Sequence, residues 1–231
     1  MTTSFGNGVW QLITQSDLLT KFILLALFCM NILCTALFLY KLVLNRLKLR
    51  ELKQARSRLK NITSVEDFRT ATAELSSTMP GYLIKQTMNA VKNAGGAHPL
   101  HISLTPSQLE QTEQTIEQTI DDLLQAEQSY LPILFSCAAV SPLIGLFGTI
   151  WGLIHAFVGI STRQSADIAT VAPGIAEALI TTLGGLCVAI PTLMMYHYLN
   201  SKYKTIEHQL INLAYQLNTL VIKFFAPGDR A

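Results

Sequence analysis

The chain is short of charge. Only 14% of its 231 residues are Asp, Glu, Lys or Arg, against about 25% in an ordinary soluble domain, while half are hydrophobic. A formal net charge of +2 supplies neither the basic surface that nucleic acid requires nor an acidic excess. Cysteine is scarce as well: Cys29, Cys34, Cys137 and Cys187 all fall inside apolar runs, with no C-x-x-C pair. Such cysteines are expected to be small buried hydrophobes rather than a disulfide or metal framework. His98 and His101 make a single H-x-x-H in a Gly/Pro-rich stretch with no carboxylate or cysteine close by, a pattern expected of a loop rather than a metal site. No metal and no cofactor is implied. The apolar runs also lack the parts of an intramembrane protease. They hold no pair of aspartates, and Ser141 precedes Pro142 instead of sitting in a Gly-x-Ser-Gly setting with a histidine partner. The chain is therefore not expected to be an enzyme.

What the chain does have is three long apolar runs. Phe22 to Tyr40 is uncharged and bracketed by Lys21 and Lys41, and roughly twenty apolar residues are what a helix needs to cross the hydrocarbon core. The segment before it carries one acid and one base, Asp17 and Lys21, and no small-x-small site follows it, so it is expected to be an anchor and not a cleaved signal. Leu131 to Ile160 is a second uncharged run, and a third spans about Val171 to Leu199 with a single acid, Glu177. The polar stretch 161–167 between them predicts a tight antiparallel pair. Lys41, Arg46, Lys48, Arg50, Lys53, Arg56, Arg58 and Lys60 follow the first run, opposed only by Glu51. Basic residues near span ends favour the cytoplasmic side.

The implied organisation is a periplasmic segment 1–21, a transmembrane helix 22–40, a cytoplasmic helical region 41–130, a second span 131–160, a periplasmic turn 161–170, a third span 171–199 and a cytoplasmic C-terminal helix 200–231. The fold class expected is an all-α integral membrane protein whose second and third spans extend into a cytoplasmic helical bundle. It would be a multi-pass membrane protein. Within 41–130, Ser64-Val-Glu-Asp67 resembles a capping box opening a helix that Met79-Pro80-Gly81 ends. Tyr82 to Asn93 predicts another helix, closed by Gly95-Gly96. A third starts near Thr105-Pro106, with Leu109, Ile116, Ile120, Leu123 and Leu124 at helical spacing, and runs toward Pro132. Its polar face is acidic: Glu110, Glu113, Glu117, Asp121, Asp122 and Glu127. Those acids are placed to offset the basic helix that follows the first span.

Small residues recur at four-residue spacing in the last two spans: Ser141, Gly145, Thr149 and Gly148, Gly152, Ala156 in one, Thr181, Gly185, Ala189 and Gly174, Ala178, Thr182 in the other. This spacing lets helix backbones approach closely where no hydrophobic effect drives helices together. Glu177 is of another kind. An acid among apolar residues costs a few kcal/mol and faces a bundle interior or a hydrated path. A span starting at Val171 puts Glu177 ~9 Å below its boundary and Thr182 ~16 Å, with Thr149 ~13 Å from the same side. Taken singly, each threonine is expected to bond its own backbone. The carboxyl has no base in any span to pair with, which favours an ion path over a purely structural hydrogen bond. His155, beside Trp151 and Phe157, is consistent with an interfacial imidazole.

At these residues the sequence resembles the MotA/TolQ/ExbB proton-channel family. Ser141-Pro-Leu-Ile-Gly-Leu-Phe-Gly-Thr-Ile-Trp-Gly152, Ala156-Phe157, Val171-Ala-Pro-Gly-Ile-Ala-Glu-Ala-Leu-Ile180 and Ala189-Ile190-Pro191 carry the likeness. Three spans suit the TolQ and ExbB branch rather than four-span MotA, and His155-Ala-Phe157 leans toward TolQ. The resemblance implies five copies in a ring, with second and third spans lining a pore that holds single-span TolR/ExbD-type partners. Thr149, Glu177 and Thr182 would then be the pore-lining threonine, glutamate and threonine, and proton flow would energise a TolA- or TonB-like protein. Two departures stand out. Leu183-Gly-Gly-Leu186 replaces the more usual Ala-Ile-Gly-Leu, and the helix before Pro132 lacks the mixed charges common in relatives.

Overall fold

A computed structural model describes residues 16–60, 78–95, 104–163 and 167–226, with Thr14, Ile62, Asp67 and Thr70 as isolated positions. The H-x-x-H of His98 and His101 and most of the Ser64–Asp67 segment lie outside the described residues. Every regular element among the described residues is an α-helix: α1 (Leu18–Lys60), α2 (Met79–Gly95), α3 (Pro106–Gln128), α4 (Leu131–Arg163) and α5 (Ile168–Phe225). Three stretches are long and apolar enough to cross a membrane, within Leu18–Lys60, Pro106–Thr162 and Val171–Phe225. The chain divides into two compact units, Met1–Tyr40 with Tyr130–Leu199, and Lys41–Ser129 with Asn200–Ala231.

In the first unit, α4 and α5 meet backbone to backbone. A Cβ on Gly145 would stand 2.9 Å from the Thr181 carbonyl oxygen, one on Gly152 2.8 Å from that of Gly174, and one on Gly185 2.6 Å from that of Ser141. At Gly148 it would overlap the Thr181 side chain, and at Gly174 it would reach the Gly152 carbonyl oxygen at 2.9 Å. The four-residue stripes expected from sequence merge here into one face, 145/148/152/156 against 174/178/181/185, because 3.6 residues per turn alternate steps of three and four. Thr181, wholly buried, stands opposite Gly148 on this face.

The first span closes on this pair through Ile23, Leu27 and Val188, with Leu19, Met30 and Ile144 around them. The additional glycine in Leu183-Gly-Gly-Leu186 has its place here: a Cβ on Gly184 would meet Leu24 Cδ2 at 3.3 Å and Leu27 Cδ1 at 3.6 Å. All four cysteines are free thiols, but only Cys34 is buried; Cys137 is half-buried, and Cys29 and Cys187 are exposed. This corrects the expectation of four buried cysteines. An apolar side chain in a span is content facing lipid, so hydrophobicity does not fix which way it points.

The second unit is a helical bundle with a leucine-rich core that includes Leu52, Leu59, Leu83, Leu210, Leu213 and Leu217. Met79-Pro80-Gly81 opens α2, which thus begins ahead of the expected Tyr82. Proline suits a first turn, where its missing N–H has no acceptor to serve. Between α2 and α3, Leu104 donates its backbone N–H to the Phe225 carbonyl at 2.8 Å, and the Gln108 amide donates to the Ala94 carbonyl at 2.7 Å. The same Gln108 side chain accepts from the Thr105 N–H, capping α3. α3 stops at Gln128, and Ser129–Tyr130 separate it from α4. Pro132, in the first turn of α4, cannot donate to Gln128 and would clash with a continuing turn.

Ile116, Ile120 and Leu124 are buried, as their spacing predicts, and so is Glu127. Glu127 continues that stripe by three residues, and its carboxylate is ion-paired with Lys48 of α1. This acid thus leaves the polar face to which its charge alone would assign it, and realises one contact of the expected pairing between acidic α3 and basic α1. Lys41, one helical stretch earlier, is held below the ordinary lysine range by desolvation, which the Glu127 charge partly opposes.

Two outcomes follow from this packing, both read as thermal unfolding in detergent. Gly148→Val is expected to cost about 2 kcal/mol or more, because it would overlap the wholly buried Thr181 side chain, whereas Gly184→Ala, facing only leucine methyls, stays within about 1 kcal/mol. Lys48→Met is expected to cost about 3 kcal/mol by leaving a buried carboxylate unpaired, and the double variant Lys48→Met/Glu127→Leu to recover most of it.

Candidate functional site

The three site residues expected from sequence occupy different faces of the α4–α5 pair. Thr149 donates its hydroxyl to the Leu146 carbonyl of its own helix at 2.6 Å. Its neighbours Leu146, Phe147 and Ile150 are exposed, so this side of α4 points out of the single chain. Thr182 donates across the helix interface to the Gly145 carbonyl at 3.2 Å. That contact exists because Gly145 brings the two backbones together. No hydrogen bond among the described residues joins either threonine to Glu177. Five residues along a helix turn a side chain by roughly 140°, so Glu177 and Thr182 cannot share one line of α5.

Glu177 is instead turned toward the head of α1. The Asp17 backbone N–H, the Asp17 carboxyl, the His155 imidazole and the Thr20 hydroxyl are the groups that act on its carboxyl. Thr20 is almost fully buried. The carboxyl is half-buried within the single chain. Thr20 immediately precedes Lys21, which brackets the apolar run to Tyr40, and that run is itself roughly 30 Å of helix, one bilayer core. Measured against α1, Glu177 therefore stands level with the residues that precede the apolar run.

Asp17 ties the cluster together. Trp151 of α4 donates its indole N–H to Asp17 Oδ2 at 3.1 Å, and His155 Nδ1 lies 3.9 Å from the same oxygen. Asp17 also heads α1: its backbone carbonyl accepts from the Lys21 N–H at 3.1 Å. The Trp151 indole, with the backbone amides of Leu18 and Leu19, holds the Asp17 carboxyl below the usual carboxylate range against some opposing desolvation. A carboxylate at a helix start is favoured by the free amides and the dipole there. Asp17, Thr20, Glu177, Trp151 and His155 thus converge from three helices. Sequence reasoning missed Asp17, Thr20 and Trp151 as site residues. The one available signal was Asp17 at the N-cap position of a long apolar run, which says nothing of what packs over it.

The chain is similar to known proteins over most of its length. It is 28% identical to the Tol-Pal system protein TolQ of Haemophilus influenzae over 212 residues, covering 91% of this chain and 92% of that one. It is 29% identical to the biopolymer transport protein ExbB of Salmonella typhimurium over 191 residues, 82% of this chain and 76% of that one. A shorter stretch of 75 residues is 48% identical to TolQ of Pseudomonas aeruginosa, about a third of each chain. The family profile described as MotA/TolQ/ExbB proton channel family matches residues 82–212, more than half of the sequence, and with three membrane-length helices in the expected order the chain belongs to that family.

Proposed function

We propose that this chain is the ring-forming subunit of a proton-motive-force-driven inner-membrane motor of the TolQ–TolR or ExbB–ExbD type. The observation that carries the proposal is Glu177: an acid at a three-helix junction in a chain whose three apolar runs hold no Lys or Arg. Such a group is kept where it exchanges protons with a hydrated path. Thr149 and Thr182 line the same path in an assembled ring, Thr149 on the outward face of α4 and Thr182 bridging to Gly145. The N-terminus lies in the periplasm and the basic run after Tyr40 in the cytoplasm, by the excess of Lys and Arg there. A TolR/ExbD-like single-span protein sits in the pore, and a TolA/TonB-like transducer carries the work to the outer membrane, for envelope integrity or nutrient import.

Self-association into a ring, a pentamer by resemblance, is supported by charge. Glu110, Glu117, Asp121 and Asp122 on α3 form no ion pair with a described residue, nor do Arg46, Arg50, Lys53 and Arg56 on α1. Ile116, Ile120, Glu117, Asp121, Glu207 and Tyr215 line a groove of about 320 Å³ in the same unit. A chain carrying both an acidic and a basic unpaired face is suited to head-to-tail contacts, which close into rings.

The backbone-level packing of α4 on α5 would serve a non-conducting scaffold equally well, and conduction separates the two readings. The complex purified through a tag on this chain and reconstituted in liposomes is expected to take up protons under an imposed potential. Glu177→Gln is expected to lower that uptake by about a hundredfold, the loss of an essential proton-transfer group. Undiminished uptake in the variant would leave only the scaffold. In cells, loss of the chain is expected to give detergent sensitivity with growth on iron chelates intact, since the likeness leans toward TolQ; the reverse pattern would assign it to nutrient import.

A further inference from the structure

The cluster at the head of α1 contains two titratable groups that the ion path described above does not use. His155 on α4 and Asp17 before α1 both face Glu177 on α5, and among the described residues these three are the titratable groups that meet there. Their exposures differ in a useful order. The His155 side chain is 51% exposed and that of Asp17 37%, while the Thr20 hydroxyl beside Glu177 is almost fully buried. His155 is thus exposed, and Asp17 and Glu177 are both half-buried at the junction.

We propose that His155 and Asp17 form the proton-collecting pair that loads Glu177 from the side on which α1 begins. In the transfer, a hydronium gives its proton to the imidazole and becomes water. The imidazolium passes a proton to Asp17 Oδ2 across the 3.9 Å gap, which one water or a small ring movement closes. Asp17 then hands it to the Glu177 carboxylate. One proton moves from water to Glu177, only N–H and O–H bonds form and break, and both relay groups return to their starting state. Trp151 and Thr20 are positioning residues. The indole N–H fixes one Asp17 oxygen at 3.1 Å, and the Thr20 hydroxyl holds Glu177. The depressed acidity range of Asp17 suits this role, because a carboxylate that stays ionised stabilises the imidazolium and does not retain the proton. This inference rests on the proposed function, since it needs Glu177 to be the proton acceptor.

The test uses the same reconstituted complex, with uptake rates measured over about pH 5 to 8. Asp17→Asn keeps an oxygen for the Trp151 N–H but cannot ionise, and His155→Gln keeps hydrogen bonding but cannot carry a proton. Each is expected to slow uptake about tenfold or more and to change its pH profile. The double variant should be no slower than the worse single one, because both act in one path. Asp17→Ala, which also removes the tie to Trp151, is expected to lose stability in addition. Wild-type rates and profiles in Asp17→Asn and His155→Gln, with Asp17→Ala unstable and Glu177→Gln inactive, would overturn the relay and leave a structural tie, with the ion path intact. Full uptake in Glu177→Gln would instead overturn the proposed function itself. A second measurement does not depend on conduction. In a Trp10→Phe background Trp151 is the sole tryptophan, and its emission is expected to titrate with its Asp17 partner. Glu177→Gln should move that midpoint by about 0.5 in pH if the two carboxyls are coupled, and an unmoved midpoint would count against the relay.

Discussion

The structure depends on two helix backbones touching. In water, a bundle is held by withdrawing apolar side chains from solvent; in lipid that force is absent, and close contact between backbones takes its place. The α4–α5 contact at Gly145, Gly148, Gly152, Gly174 and Gly185 leaves no room for a side-chain atom between the two helices. The Thr182 bridge to the Gly145 carbonyl follows from it, and so does the position of Glu177, which lies one turn before Thr181 on a helix whose rotation the glycine face has fixed. With α5 locked in that rotation, Glu177 is directed at whatever covers the pair on its remaining side. That cover is the head of α1.

Polar groups cluster there for a related reason. A helix beginning close to the membrane boundary has backbone N–H groups that need partners, and water is limited at that depth. Asp17 supplies one from its own chain, and Glu177 supplies another from α5. The acid that is expensive among apolar side chains thus becomes affordable as a partner to unsatisfied amides. Its neighbours, Asp17 and His155, are ionisable themselves, so a structural solution at the helix start also assembles a set of proton-exchanging groups.

The second unit obeys the rules of water-soluble bundles. Its core is leucine, its helix ends are tied by backbone and glutamine hydrogen bonds, and the Lys48–Glu127 ion pair sits where burial removes competing water. Asn45, on the same face of α1 as Lys41 and Lys48, is buried with neither side-chain polar atom partnered among the described residues. Polar burial on this face is therefore concentrated where the apolar run of α1 gives way to charge.

Sequence by itself determined the three membrane-length helices, the small-residue faces and the family. All of these are properties of one segment at a time: run length against bilayer thickness, spacing against helical period, and motif against motif. It also singled out Glu177, because an acid in an apolar run is visible without any fold. What the tertiary structure decided was everything that needs two segments at once. Ser129–Tyr130 interrupts the helix ahead of Pro132, Met79-Pro80-Gly81 starts a helix, Glu127 turns inward to Lys48, and Gly184 receives Leu24. The cysteines divide between protein and lipid faces, since apolar character is satisfied by either. Above all, the side chains that meet Glu177 come from residues 17, 20 and 155, and only the rotation of α5 and the level at which α1 begins bring them together. A one-dimensional pattern records neither quantity, because both are set by the closest approach of neighbouring backbones.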